Sequence, residues 1–246
     1  MIGVQRLLVW IVLLGLLACN KSDTIQSKRT GEHVKNAIWP LGASRVEGNP
    51  NDYYSYRYDL WKMLLDSGWI FDYVGTQTDE FDYPKVNGNV FDSDHQGHGG
   101  WTSQDILEHL DDWIHAIDTP DIVLISSPGG NDALEGLSMN KAISNIEKII
   151  QKIQSYNSHA MIIIEKMAPA RSDVMNDGLG ARMTEMNTAL SGICVELSND
   201  KSTVLQVDML EGFNDDFLAD DVHYNKLGAK FIASNYYETL KKYLER

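Results

Sequence analysis

Two cysteines in 246 residues are too few for a disulfide framework, so any domain built from this chain must be held by its core. Positive charge is scarce as well: 21 lysines and arginines stand against 35 aspartates and glutamates, a formal net charge of −14 at pH 7. That balance excludes nucleic acid as a partner and charge-driven binding to anionic lipid, and it favours neutral substrates. Internal repeats and low-complexity blocks are also lacking. What remains is an ordinary globular composition, 43% hydrophobic and 23% charged, with enough length for one sizeable core.

Long apolar runs are absent except at the start, where Arg6 precedes the eleven residues Leu7 to Leu17. Eleven residues are too short to span a bilayer as a stable helix, so residues 1–18 read as a secretory signal. The join "LLAC", Leu16 to Cys19, resembles the lipobox of bacterial lipoproteins. That resemblance implies lipidation at Cys19 as the first mature residue, and an exported chain anchored to a bacterial membrane, facing the periplasm or the cell surface. Loss of residues 1–18 removes one positive charge, Arg6, and leaves −15. Residues 19–33 are polar and aperiodic, as a tether should be. The domain is expected over 34–246. Cys194, then without a partner, reads as a small buried apolar residue.

Within the domain, short apolar runs alternate with longer amphipathic ones. Strands are expected at Ala37–Leu41, Ile70–Val74, Ile122–Ile125, Ala160–Ile164 and Val204–Val207. Helices are expected at Tyr54–Ser67, Ser103–Ile117, Asn140–Ser155, Arg182–Leu197 and Lys226–Leu244, the last carrying Leu227, Phe231, Ile232, Tyr236, Leu240 and Tyr243 at helical spacing. Strands apolar on both faces and separated by helices imply a parallel sheet covered on two sides. Ligands bind such sheets at the carboxyl ends of the strands. Ser44 follows the first expected strand, and "SSPGGND", Ser126 to Asp132, follows the third.

A serine becomes a nucleophile when a base takes its proton and donors await the oxyanion. Asp220 lies three residues before His223 in "LADDVHYNKLG", a spacing that lets a carboxylate hold one imidazole nitrogen while the other faces a serine. Oxyanion donors are available in the Ser44 backbone amide, in Gly100, and in the side-chain amide of Asn131. The ordered set Gly42-x-Ser44, Gly100, Gly130-Asn131-Asp132 and Asp220-x-x-His223 resembles the four blocks of the SGNH hydrolases, the GDSL esterase and lipase superfamily. "YRYDLWKMLLDSGWIFDYVGT" and "DIVLISSPGGNDA" resemble further stretches of that family, and the likeness covers roughly 36–235.

The resemblance implies an α/β fold, a flavodoxin-like three-layer α/β/α sandwich around a five-stranded parallel sheet. It implies Ser44 as nucleophile, His223 as general base and then acid, Asp220 as the group orienting His223, and an oxyanion hole of Ser44, Gly100 and Asn131, with no metal and no cofactor. Two positions depart from it: Ala43 stands where the family carries aspartate, and Asp221 where it often carries glycine. "HQGHGGWTSQDI" is similar to a segment of acetylxylan-esterase-like members, which points to short acyl, chiefly acetyl, esters on a carbohydrate or similar polar substrate. Lysophospholipase or thioesterase activity, and a non-catalytic glycan-binding role, are the alternatives on the same scaffold.

Other residues have rival readings. Asp92, Asp94, His95 and His98 are all metal-ligand types within one polar loop, though a solvated loop is the plainer account. Arg45 is expected to be exposed and paired with Glu47 or another acid, the alternative being a place over the site where it attracts a carboxylate-bearing substrate. Trp101 is a candidate sugar platform, whereas Trp61 and Trp69 are expected in the core. The loop Lys166 to Gly180 is expected at the active edge, where it shapes specificity.

Overall fold

The computed structural model describes residues 34–246, so the expected signal peptide, the expected lipidation site Cys19 and the expected tether lie outside the described residues. Strand β1 (Ala37–Gly42) runs into a single helical turn, α1 (Ser44–Glu47), and then α2 (Arg57–Asp66). Two very short strands follow, β2 (Asp72–Tyr73) and β3 (Gln96–Gly97), before α3 (Ser103–Ala116) and β4 (Ile122–Ile125). The rest of the chain gives α4 (Gly130–Leu134), α5 (Met139–Tyr156), β5 (Met161–Lys166), α6 (Asp177–Leu197), β6 (Val204–Asp208) and α7 (Lys226–Leu240).

All strand pairs are parallel, in the order β2-β1-β4-β5-β6. This is the expected flavodoxin-like sheet with one addition, β3, which also pairs with β1. Pro40 explains why that edge is filled by two fragments. Ala37 and Leu41 accept from the β4 side and Ile38 and Gly42 from the opposite side, so the nitrogen of Pro40 faces the edge position. A proline has no N–H to give there. Accordingly β2 pairs with Ala37 and Ile38, and β3 takes up the ladder opposite Leu41 and Gly42.

Side chains alternate across the sheet and build two cores. Ala37, Trp39, Leu41, Val123, Ile125, Ile162 and Ile164 face α3, α5 and α6, where Leu110, Ile146, Ile149, Leu190 and Ile193 are buried. Ile38, Ile122, Leu124, Ile163 and Val207 face α2 and α7 and meet Leu60, Trp61, Leu64, Ile232 and Tyr236. Cys194 is buried on the first face and free, and burial pushes its thiol up to about 11. Among the described residues, no helix is long and apolar enough to cross a membrane.

Several boundaries differ from the sequence expectation for identifiable reasons. α6 starts at Asp177 rather than Arg182, because Asn176 caps it and the helix absorbs Gly178 and Gly180. Ile70, expected in a strand, is exposed, and pairing begins two residues later. α7 ends at Leu240, and its buried face is Gly228, Ala229, Ile232, Ala233, Tyr236 and Leu240, while Leu227 and Tyr243 are exposed. Small residues carry that face because Gly228 lies against the carbonyl of Phe217, where a Cβ would come within 2.1 Å. Trp61 is in the core as expected, but Trp69 is half-buried at its margin under Arg246, whose guanidinium carbon sits 4.4 Å from the ring centroid.

Asn225 is the cap that sets where α7 begins. Its Oδ1 accepts from the N–H groups of Leu227 and Gly228, and its Nδ2 donates to the carbonyls of Asp216 and Leu218. Asn225→Ala is expected to lower unfolding free energy by roughly 1–2 kcal/mol, the cost of a lost N-cap, read as a fall in the urea midpoint at unchanged slope.

Candidate active site

The site assembles where β1, β3 and β4 end. Ser44 opens α1, and its neighbour Ala43 occupies the N-cap position without a side-chain cap. The turn is drawn against its surroundings by two glycines. A Cβ at Gly42 would lie 2.8 Å from the Ser126 carbonyl oxygen, and one at Gly97 would lie 2.2 Å from the Glu47 nitrogen. Glycine is therefore required at both places for close backbone approach.

His223 reaches Ser44 from the loop before α7. Its Nε2 lies 2.8 Å from Ser44 Oγ, and its Nδ1 lies 2.8 Å from Asp220 Oδ2. The Asp220 contact assigns the proton to Nδ1, which leaves Nε2 free to accept from the serine hydroxyl. Asp220 Oδ1 accepts from the backbone N–H groups of Val222 and His223 at 2.8 and 2.7 Å. Partial burial opposes ionisation of Asp220, but these hydrogen bonds and the imidazole outweigh it and hold the carboxyl below its usual range. The neighbouring Asp221 instead pairs with Arg171. Of the two adjacent carboxylates, Asp220 is the one on the imidazole. Tyr53, which the sequence gave no reason to select, stacks on His223 with centroids 3.9 Å apart and planes 18° apart.

Asn131 shares a small cavity with Ser44 and donates through Nδ2 to the Trp101 carbonyl at 2.7 Å. That bond ties it to the glycine turn, where Trp101 N–H bonds the His98 carbonyl and Gly100 takes a φ of +79°. A Cβ at Gly99 would stand 3.9 Å from that of Ser44, so the turn abuts the serine. Asp132 is buried and accepts from the N–H and hydroxyl of Ser103, locking the start of α3 to the same corner. The sequence thus placed Ser44, Gly100, Asn131, Asp220 and His223 in one site, and the structure brings the four segments that carry them together.

Two arginines depart from expectation or escaped it. Arg45 is buried and makes no ion pair with Glu47; it donates to the carbonyls of Val222, Ala168 and Pro169 and to Ser127 Oγ. A surface partner was the wrong expectation because main-chain carbonyls from the loops at 168–169 and 222 draw the guanidinium inward. Arg57 is fully buried and donates to the carbonyls of Val46, Glu47 and Ser93 and to Asp79. No motif marked it, since its acceptors are mostly main-chain. Glu165, fully buried on β5, accepts from Ser126 Oγ and Ser127 N–H.

The loop of Asp92, Asp94, His95 and His98 does not form a metal centre: among the described residues no group of three or more such ligands converges. Its members point to separate partners. Asp92 accepts from Tyr73 N–H, His98 meets Gln96, and His95 sits 3.2 Å from Asp79 with its Nδ1 accepting from Gly97 N–H. Trp101 is stacked with His98 at 4.2 Å and with Trp113 at 5.4 Å, so packing accounts for its ring. From the loop Lys166 to Gly180, Met167 and Ala170 do line the cavity.

Parallel α/β architecture with this constellation at its carboxyl edge defines an ester-hydrolysing enzyme. The chain belongs to the GDSL-like lipase/acylhydrolase family, whose model matches residues 67–231. The matched span takes in Gly100, Asn131, Asp220 and His223 and begins after Ser44. A family 3 carbohydrate esterase from Talaromyces cellulolyticus is similar at 26% identity and TM-score 0.71, covering 84% of this chain and 96% of its own. A family 3 carbohydrate esterase from Clostridium thermocellum is similar at 26% identity and TM-score 0.68, with the same coverage. A serine-to-alanine mutant of an acetyl esterase with acetate ion is similar at 25% identity and TM-score 0.71, again with that coverage. Comparison of the sequence with curated proteins gave no match.

His95 supplies a pH test. Burial, with Arg57 beside it, lowers the imidazole from 6.5 to about 4 against the opposing pull of Asp79. The unfolded chain therefore takes up this proton first, so the contribution of neutral His95 is intact above about pH 6.5 and is lost as pH falls toward 4. Relative to His95→Gln, the parent should lose roughly 3 kcal/mol of unfolding free energy across that window, at about 1.4 kcal/mol per pH unit. Urea titrations of both proteins from pH 7.5 to 4 measure the difference.

Proposed function

We propose that the protein is a serine esterase that removes short acyl groups, chiefly acetyl, from a carbohydrate or similarly polar alcohol. The observation that carries this reading is the pair of 2.8 Å contacts running from Asp220 through His223 to Ser44. In this reading Ser44 Oγ attacks the ester carbonyl as His223 Nε2 takes its proton. The carbonyl oxygen, now an oxyanion, is held by the Ser44 and Gly100 backbone amides and the Asn131 side chain. Collapse breaks the ester C–O bond, and His223 returns its proton to the departing alcohol. Water, deprotonated by His223, then cleaves the acyl-enzyme and frees Ser44.

The short acyl group is argued from space. The cavity beside Ser44 and Asn131 is about 40 Å³, walled by Leu134, Met167, Ala170, Met183 and Val222. These walls are largely apolar and stand close to the nucleophile, which suits the methyl end of a short acyl group. The carbohydrate is supported by the similar proteins, which are carbohydrate esterases and an acetyl esterase.

A fluorophosphonate should add one adduct at Ser44, located by mass, and His223→Ala should abolish it; acetyl esters should be turned over in preference to octanoyl esters. Absence of both labelling and turnover would sink the reading, and a preference for octanoyl would sink its acyl part. Asn131→Ala should cut kcat by roughly 10²- to 10³-fold, the loss for one oxyanion donor; a change of a few fold would remove Asn131 from that role.

A further inference from the structure

We propose that Arg45 is a positioning residue that fixes the spacing of Ser44, His223 and the Asn131 turn, an inference that rests on the esterase reading above. Arg45 follows Ser44 in α1, so its backbone moves with that serine. Its guanidinium then spans the floor of the site. Nε donates to the Val222 carbonyl at 2.9 Å, Nη1 to the Ala168 carbonyl at 2.9 Å and to Ser127 Oγ at 3.2 Å, and Nη2 to the Pro169 carbonyl at 3.2 Å. The guanidinium carbon also lies 4.7 Å from the centroid of Tyr224.

Those acceptors are not scattered. Val222 and Tyr224 are the two neighbours of His223, so one group grips the base from both sides along the chain. Ser127 begins the turn that delivers Asn131: its carbonyl accepts from Gly130 N–H, and Glu165 in turn accepts from its backbone N–H at 2.7 Å. Ser127 has a φ of +46°, a left-handed conformation that a serine keeps only when its surroundings hold it. Ala168 and Pro169 lie in the loop whose Met167 and Ala170 wall the acyl cavity. A single rigid fork therefore connects the nucleophile, the base, the oxyanion turn and the pocket wall.

The chemistry of the group suits the task. Four N–H vectors in one plane fix four acceptors relative to one another, which an ammonium on a flexible stem cannot do. Nothing in this contact set reaches the reacting atoms, so Arg45 acts through the residues it holds. Displacements near 1 Å in such settings cost about 100-fold in rate.

Arg45→Lys, which keeps the charge, and Arg45→Ala should each lower kcat for a small acetyl ester by roughly 100-fold, with KM changed by only a few fold. Arg45 lines the cavity beside Ser44, so free guanidinium at millimolar concentration should enter the vacated space and restore part of the kcat of Arg45→Ala. Ethylammonium and sodium chloride at equal concentration should not. The proposal is overturned by a kcat for Arg45→Lys within about threefold of the parent, or by a kcat loss in a folded Arg45→Ala that guanidinium leaves untouched. Should Arg45→Ala not fold, Arg45→Lys decides alone. Parent enzyme that neither labels with fluorophosphonate nor turns over esters is a failure of the esterase reading instead, visible before any variant is made.

Discussion

The structure depends on holding a helix too short to hold itself. α1 has four residues, and its internal ladder amounts to the bond from Gly48 N–H to the Ser44 carbonyl together with those from Val46 and Glu47 to Ala43. A single turn of this kind is unstable in isolation, because fixing its dihedrals costs more than its few bonds return. Its geometry is imposed by what surrounds it: the missing side chains of Gly42 and Gly97, which let backbone close in, and two buried arginines. Arg57 takes the last two carbonyls of the turn, Val46 and Glu47, as a cation at a helix carboxyl end should. Arg45 leaves from the turn itself and ties it to three other loops, at Ser127, at Ala168 and Pro169, and at Val222.

Buried cations in a chain of net charge −14 are costly to desolvate, and the two are compensated differently. Arg57 has a carboxylate, Asp79, at 2.7 Å, and His95 shares the same Oδ1. Burial works against ionisation of Asp79, yet the hydrogen bonds from His95 and Arg57 hold it below the usual carboxylate range. Arg45 is satisfied by three carbonyls, a hydroxyl and an aromatic face, with Glu165 on the far side of Ser127. Ala43, where the family resemblance calls for aspartate, removes a carboxylate from the turn that these arginines brace. The turn's order thus comes from side chains below and behind it.

How much of this was legible in the sequence follows from how far apart the cooperating residues lie. Five strands, β2 among them, and the parallel sense of the sheet were readable because the core strands are apolar on both faces and the helices carry apolar stripes. β3 was not, because a two-residue strand carries no periodicity, and the reason β2 and β3 are separate, Pro40, acts across a ladder the sequence does not display. The buried state of Arg45 was misread for the same cause. An arginine beside a glutamate looks like a surface pair, and its true acceptors, the carbonyls of residues 168, 169 and 222, have no side-chain signature.

The two contacts of His223 illustrate the division. The Asp220 contact is local: within four residues the carboxylate accepts from the N–H groups of Val222 and His223 and holds the imidazole, so the Asp-x-x-His spacing encodes the geometry. That is why Asp220 keeps its place on the imidazole although its side chain is half exposed, at 51%. The Ser44 contact spans 179 positions and has no local code. Its 2.8 Å is the sum of where β1 ends, how α1 is braced, how α7 is capped and how Tyr53 backs the imidazole. Spacing within a motif fixes the orientation of the base, and the tertiary brace fixes whether that base meets its serine.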